Sequence, residues 1–153
     1  MAPVTPTALR LATPADAGEI REIVRAAYGR WVPLIGREPM PMRVDYDQAL
    51  REHRFDLLQR GPRILALIET MLEPDHLWIE NVAVRPELQG QGLGRRLLAH
   101  AEELARAARR PELRLLTNGD FGSNIALYER SGYAVTAREP FMGGTTVYMR
   151  KVL

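Results

Sequence analysis

The chain has 153 residues, enough for one domain around a single core, and its 46% hydrophobic and 26% charged residues are ordinary for a globular protein. It has no cysteine, which excludes disulfides, thiolate nucleophiles and Cys-ligated metals. No apolar run approaches membrane-spanning length and no signal peptide is evident, so a cytoplasmic protein is expected. The net charge is only +2, and the pI of 9.3 arises because Lys151 is the only lysine among many arginines. The basic residues are scattered among acids, and the one dense spot, Arg106 to Arg110, falls in a helix's last turn, so nucleic acid is not an expected partner.

One domain over residues 1–153 is expected, with a short Pro-rich, disordered tail at 1–7. Residues 8–12 read as a first strand. Thr13-Pro14-Ala15-Asp16 reads as a helix start, with Thr as cap and Pro at the first helical position. Ile20, Ile23, Val24, Ala27, Tyr28 and Trp31 follow at helical spacing. Residues 29–42 hold three prolines and two glycines and are expected to be irregular, either pinned to the core or lining a pocket. A short helix is expected over 44–53, capped by Asp45. Residues 54–58 and 63–70 flank a Gly-containing turn and read as a hairpin.

Residues 77–84 are nearly all apolar, as in a strand buried on both faces, with Glu80 and Asn81 interrupting the run. A helix follows from Gly94 to about Arg110, where Pro111 prevents its continuation. Residues 113–117 are strand-like, 118–123 a polar loop, and 124–130 a short helix closed by Gly132. Two last strands, 133–138 and 145–152, are joined by a loop over 139–144. The order β-α-α-β-β-β-α-β-α-β-β gives an α/β domain with a mixed sheet and helices on both faces. The unit from Leu77 to Thr117 places its two strands parallel.

The central strand and the helix from Gly94 are joined by Gln89-Gly90-Gln91-Gly92-Leu93-Gly94, with three glycines in five residues. Such a turn lets backbone N–H groups crowd around an anion, and the helix's unpaired N–H groups and dipole add to the attraction. A diphosphate is the expected occupant, with Arg95 and Arg96 at the rim. A Rossmann dinucleotide site does not fit: its third glycine would fall at Arg95, and no acid ends the next strand. A phosphate-binding NTPase loop does not fit either, because no Gly-Lys-Ser/Thr follows.

Two motifs resemble the GCN5-related N-acetyltransferase (GNAT) superfamily. One is Val82-Ala83-Val84-Arg85-Pro86 followed by the glycine turn, which matches the Gln/Arg-x-x-Gly-x-Gly/Ala signature. The other runs from Asn124 through Ala126 and Tyr128 to Gly132-Tyr133. The resemblance implies an acyl-CoA N-acyltransferase fold: a mostly antiparallel sheet whose two parallel central strands splay into a V that holds acetyl-CoA. It implies that Val82, Ala83 and Val84 offer backbone groups to the pantetheine arm, as a strand edge does to a peptide. It places the diphosphate on Gln89, Gly90, Gln91, Gly92, Leu93, Gly94 and Arg95, and Asn124 on the opposite side of the V.

Acetyl transfer to an amine needs a base for the ammonium, a donor for the oxyanion and a proton for the thiolate. The resemblance makes Tyr128 the acid; a core tyrosine is the bland alternative. Glu80 is the candidate base, directly or through water, since a carboxylate amid Trp78, Ile79, Val82 and Val84 would have a raised pKa; pairing with an arginine or plain exposure would remove that argument. A backbone N–H near Val82 is the candidate oxyanion donor. Asn118 either helps at the cofactor or merely shapes a turn. Trp31, Tyr46, Phe141 and Tyr148 could wall an acceptor pocket, and Glu38, Asp45, Asp75 and Glu139 could attract a cationic amine. His53, His76 and His100 read as structural, and no spacing suggests a metal.

The expected cosubstrate is acetyl-CoA with no metal, and the expected partner a small-molecule or peptide amine. No membrane partner is expected, and a homodimer through the last hairpin is open. The competing reading is a non-catalytic acyl-CoA-binding or sensing module on the same fold.

Overall fold

The computed structural model describes residues 5–153. Of the tail expected over 1–7, residues 1–4 lie outside the described residues, while Thr7 already pairs with Arg60 in the first strand. The strands are β1 (Thr7–Leu11), β2 (Arg54–Arg60), β3 (Arg63–Leu72), β4 (Leu77–Val84), β5 (Glu112–Asn118), β6 (Ala134–Phe141) and β7 (Gly144–Val152). The helices are α1 (Ala17–Gly29), α2 (Val32–Ile35), α3 (Tyr46–Glu52), α4 (Leu93–Ala107) and α5 (Gly122–Arg130). The seven strands form one sheet in the order β1-β2-β3-β4-β5-β7-β6, antiparallel throughout except for β4 against β5. No helix of the described residues is long and apolar enough to cross a membrane.

Each face of the sheet is covered by its own helices. Leu97, Leu98, Ala101 and Ala105 of α4 pack on Leu58, Ala66, Ile68, Ile79 and Val82, joined by Tyr128 of α5. Ile20, Ile23, Val24 and Tyr28 of α1, with Tyr46 and Ala49 of α3, cover Phe55, Leu57, Leu67 and Ala83 on the other face. The helical spacing of these side chains is the reason the segments fold as helices, since short helices owe most of their stability to a buried apolar face. The Asp45 side chain accepts from the Asp47 and Gln48 N–H groups and opens α3.

The structure corrects the expected boundaries in three places. Residues 29–42 are not featureless: they hold α2 and a 3-10 turn over Met40–Arg43. The helix after the glycine turn ends at Ala107, with Arg109 left-handed (φ 57°) and Arg110 N–H bonded to the Ala105 carbonyl, three residues before Pro111 could stop it. The loop expected over 139–144 is mostly strand, because Met142 and Gly143, both at positive φ, make a two-residue turn that lets Phe141 pair with Gly144.

Candidate active site

The parallel pair is short. β4 and β5 are bonded only over Leu77–Ile79 against Leu113–Leu115, and beyond that point they part. β5 stays bonded to β7 as far as Asn118, while Val82–Val84 keep only β3 as a neighbour. The Arg85 N–H donates to the Leu65 carbonyl at 3.1 Å, which fixes the alternation along β4. Ala83 then turns its N–H and C=O toward Leu67, and Val82 and Val84 turn theirs into the gap. The expectation that three successive residues offer backbone groups is therefore corrected: two do, and Ala83 is used up by the sheet.

The glycine turn closes one end of the gap. Gly90 and Gly92 are left-handed (φ 81° and 84°), and Gly92 caps α4 without a side-chain cap. The first bond into the helix is Arg96 N–H to the Gly92 carbonyl, so the N–H groups of residues 93–95 have no helical partner. A Cβ on Gly94 would stand 2.9 Å from Leu127 Cδ2, so its bare backbone lets α4 approach α5. The cavity here measures about 430 Å³ and is walled by Val82, Val84, Gln89, Gly90, Gly92, Leu93, Gly94, Arg95, Asn124 and Tyr128. The Gln89 amide donates to the Val84 carbonyl at 3.2 Å and holds the turn to the strand. Gln91 is exposed and outside this wall. Arg96 turns away and donates to the Thr7 carbonyl at 2.9 Å. Two arginines that the sequence did not single out, Arg30 and Arg130, join Arg95 around the cavity. Arg30 lies over the Trp31 ring (4.3 Å) and donates to Ser123 Oγ at 2.7 Å.

A second cavity, of about 330 Å³, opens on the other side of Tyr28 and Tyr128, which belong to both walls. Tyr128 is 6% exposed, and among the described residues its hydroxyl has no hydrogen-bond partner. Burial pushes that phenol up to about 12. Tyr28 donates to Asn81 Oδ1 at 2.8 Å; Asn81 Nδ2 donates to Tyr46 Oη at 3.3 Å; and Tyr46 donates to the Pro41 carbonyl at 2.7 Å. Burial raises the Tyr28 and Tyr46 phenols well above their ordinary value. All three tyrosines are therefore protonated at neutral pH.

Glu80 reaches this cavity by a route the sequence did not show. Between the pairs Glu69–Asn81 and Thr70–Ile79 the register slips, and Glu80 is the extra residue of a β-bulge. It is exposed, and its Oε2 accepts from the Trp78 indole N–H at 2.7 Å. The expectation that apolar neighbours bury it fails, because the bulge swings it out of the strand's alternation. The bulge also aims Asn81 inward, where it is 3% exposed. The buried carboxylate is Glu69 on β3, 3% exposed, with Oε2 2.6 Å from His53 Nδ1. Burial raises its pKa, against the opposing pull of His53.

Tyr46 and Phe141 line the second cavity, Phe141 at its exposed mouth. Trp31 lines neither; it stacks on Phe121 with ring centroids 4.6 Å apart. The Tyr148 hydroxyl donates to Glu139 at 3.2 Å, away from both cavities. Asn118 walls the second cavity, not the glycine-turn cavity, and its Oδ1 accepts from the Asp120 N–H at 2.9 Å. Of the four loop acids, Asp45 alone lines the cavity; Glu38 pairs with Arg25, Asp75 with His76 and Arg114, and Glu139 with Tyr148. His100 faces the buried Asp56 at 3.2 Å. Among the described residues no three His, Cys, Asp or Glu side chains cluster as a metal site.

A splayed parallel pair, an amide-lined glycine turn and a tyrosine between two cavities coincide with a family match over residues 19–133, described as Acetyltransferase (GNAT) family. The chain belongs to that family. Among solved structures, the GNAT fold recurs in PaiA N-acetyltransferase from Thermoplasma acidophilum in complex with coenzyme A, with a TM-score of 0.84 at 16% identity, covering 97% of this chain and 99% of that one. The ribosomal-protein-S18-alanine N-acetyltransferase from Escherichia coli gives 0.77 at 20%, covering 96% and 94%. YncA from Salmonella typhimurium, with its cofactor acetyl-CoA, gives 0.74 at 20%, again covering 96% and 94%. No curated protein matches the chain.

Proposed function

We infer that this GNAT protein is an N-acetyltransferase that moves an acetyl group from acetyl-CoA to an amine by direct transfer in a ternary complex. The observation that carries the reading is Tyr128, a protonated phenol without a hydrogen-bond partner among the described residues, in the wall shared by two cavities of different chemistry. The residues present fit coenzyme A. The N–H groups of Val82 and Val84 face the gap and can donate to an arm that carries amides, while the Val84 carbonyl is held by Gln89 and the Val82 carbonyl accepts from Tyr28 at 3.4 Å. The free N–H groups of 93–95, with Arg30, Arg95 and Arg130, suit a diphosphate. When bound, acetyl-CoA supplies an activated acetyl thioester.

The chain's own residues then divide the work. The N–H of Val82 points into the gap, where it can donate to a developing oxyanion. The ammonium of the acceptor gives one proton to a carboxylate of the second cavity, and its nitrogen forms the new C–N bond as the C–S bond breaks. Tyr128 gives its phenolic proton to the departing sulfur and takes back the second proton shed by the nitrogen. The net products are the amide, the thiol and one proton released to water. The second cavity carries Asp45, Glu52, Glu69 and Glu80 against Arg37 and His53, which suits an acceptor that arrives as a cation.

Calorimetric titration with acetyl-CoA and with coenzyme A, followed by an assay for free thiol with a panel of amines, tests the reading. Saturable binding with amine-dependent thiol release is expected. Binding without thiol release from any amine would reduce the protein to an acyl-CoA sensor, and absence of binding would remove the reading entirely.

A further inference from the structure

On β3, Glu69 shares the face covered by α1 and α3 with the buried Ile64 and Leu67. Glu69 opposes Phe55 on one side and Asn81 on the other, and it packs beneath α1 and α3. A lone carboxylate at such depth would be driven to its neutral form. Glu69 is not alone, because His53, just past the end of α3, brings Nδ1 to 2.6 Å from Oε2. Only that oxygen is occupied. Among the described residues Oε1 accepts no hydrogen bond, and the residue lines the second cavity. The sheet does not need this carboxylate, and neither helix pairs with it. Glu80, in contrast, is exposed and bonded to Trp78.

We propose that Glu69, positioned by His53, receives the proton of the acceptor's ammonium, and that the acceptor is a basic primary amine bound as a cation. This rests on the acetyltransferase reading above. In the step, one N–H bond of the ammonium breaks and one O–H bond forms at Glu69 Oε1. The carboxylate becomes a carboxylic acid, the nitrogen is left with a lone pair, and the proton later leaves through the cavity to water.

The groups that face Glu69 set the pH dependence. They are His53 and Glu52 at the end of α3, Tyr46 of α3, Tyr28 of α1, Glu80 of β4, and Arg37 across the cavity. Burial is the largest influence and raises the Glu69 pKa; Glu80 adds to it, and the hydrogen bond and charge of His53 oppose it. The basic form is populated only above that pKa, so kcat/KM rises with pH. Removing His53 takes away the opposing influence and moves this rise to higher pH.

The test compares two probe amines, phenethylamine, which is an ammonium at neutral pH, and p-anisidine, which is already neutral. Glu69→Gln should lower kcat/KM for phenethylamine on the order of 10²-fold or more, and far less for p-anisidine, which has no proton to lose before attack. Raising the pH should restore much of the phenethylamine rate. Glu80→Gln removes one of the cavity's charges but not the proton acceptor, so it should raise KM for phenethylamine only several-fold and leave kcat for both amines little changed. His53→Asn, which reads the pair even if Glu69→Gln fails to fold, should move the phenethylamine profile to higher pH. Equal losses on both amines, an unmoved pH profile, or an amine-selective loss of kcat in Glu80→Gln instead would overturn the proposal. So would a wild type that acetylates p-anisidine but not phenethylamine. A wild type that does not bind acetyl-CoA would instead remove the acetyltransferase reading on which the proposal rests.

Discussion

The two cavities that share Tyr28 and Tyr128 are built from different materials. The glycine-turn cavity draws chiefly on backbone: the N–H groups of Val82 and Val84, which face the gap, left-handed glycines at 90 and 92, and the free N–H groups that open α4. The second cavity is made of side chains drawn from α1, α3, β3, β4 and β5, tied by Tyr28–Asn81–Tyr46 and His53–Glu69. A backbone site recognises what is constant in a ligand, such as a diphosphate or a row of amides. A side-chain site can be changed one residue at a time and is where selectivity for an acceptor belongs.

The phenol between them gives the largest expected effect. Tyr128→Phe removes a proton donor without changing either cavity's shape. Turnover should fall by ~10²–10⁴-fold while acetyl-CoA affinity and the amine's KM stay near the wild type. Because burial holds the wild-type phenol up to about 12, Tyr128 should not produce an alkaline fall in rate near neutral pH. Parallel losses of rate and affinity would mean that Tyr128 is a packing residue against Tyr133, whose ring stands 6.0 Å away.

Gly92→Val attacks the backbone cavity alone. At φ 84° a β-branched side chain is strained, by about 1–3 kcal/mol, although no atom lies within 4 Å of its Cβ. If the turn relaxes to relieve that strain, the N–H groups of residues 93–95 lose their aim. Coenzyme A binding by calorimetry should weaken roughly tenfold or more, with little change in how the protein binds an amine. Full retention of affinity would show that the turn does not form the anion site.

Legibility follows the same division. The glycine turn, β4 and α4 are local features, written in consecutive residues, and Leu77–Val84 was readable end to end. Tyr128 and Asn124 were readable through their motif. The second cavity is readable only in part, at Tyr46, Phe141, Asp45 and Glu80; its inner wall is not, because Glu69, Asn81 and Tyr28 meet only when β3, β4 and α1 are assembled, and each alone looks like an ordinary residue of its element. The exposure of Glu80 has a definite cause. A bulge adds one residue and resets the alternation, so Ile79 and Val82 face α4 although they are three apart. A carboxylate followed by an amide inside an apolar strand, Glu80-Asn81, was the one available signal.

Tyr28→Phe tests the side-chain cavity by the same logic with a smaller effect. It leaves the buried Asn81 Oδ1 without its donor, which should cost about 1–3 kcal/mol of stability in a denaturant titration. Because Asn81 also donates to Tyr46, the amine's KM should rise while coenzyme A affinity changes little. The reverse pattern would place Tyr28 functionally in the glycine-turn cavity, whose wall it also joins.

The smallest effect expected is at Arg95, and its value lies in its dependence on salt. Arg95 is exposed, and among the described residues it makes no ion pair. An exposed guanidinium near a diphosphate gains on the order of 1 kcal/mol at close range in water, so Arg95→Ala should weaken coenzyme A binding only several-fold at low salt. The Debye length shrinks from ~10 Å at 0.1 M to ~3 Å at 1 M, so that difference should largely vanish at high ionic strength. The Gly92→Val loss should persist there, because it comes from misplaced hydrogen-bond donors and not from long-range charge. Two variants of one cavity, one sensitive to salt and one not, would separate the part of the site made by the backbone from the part that side chains add.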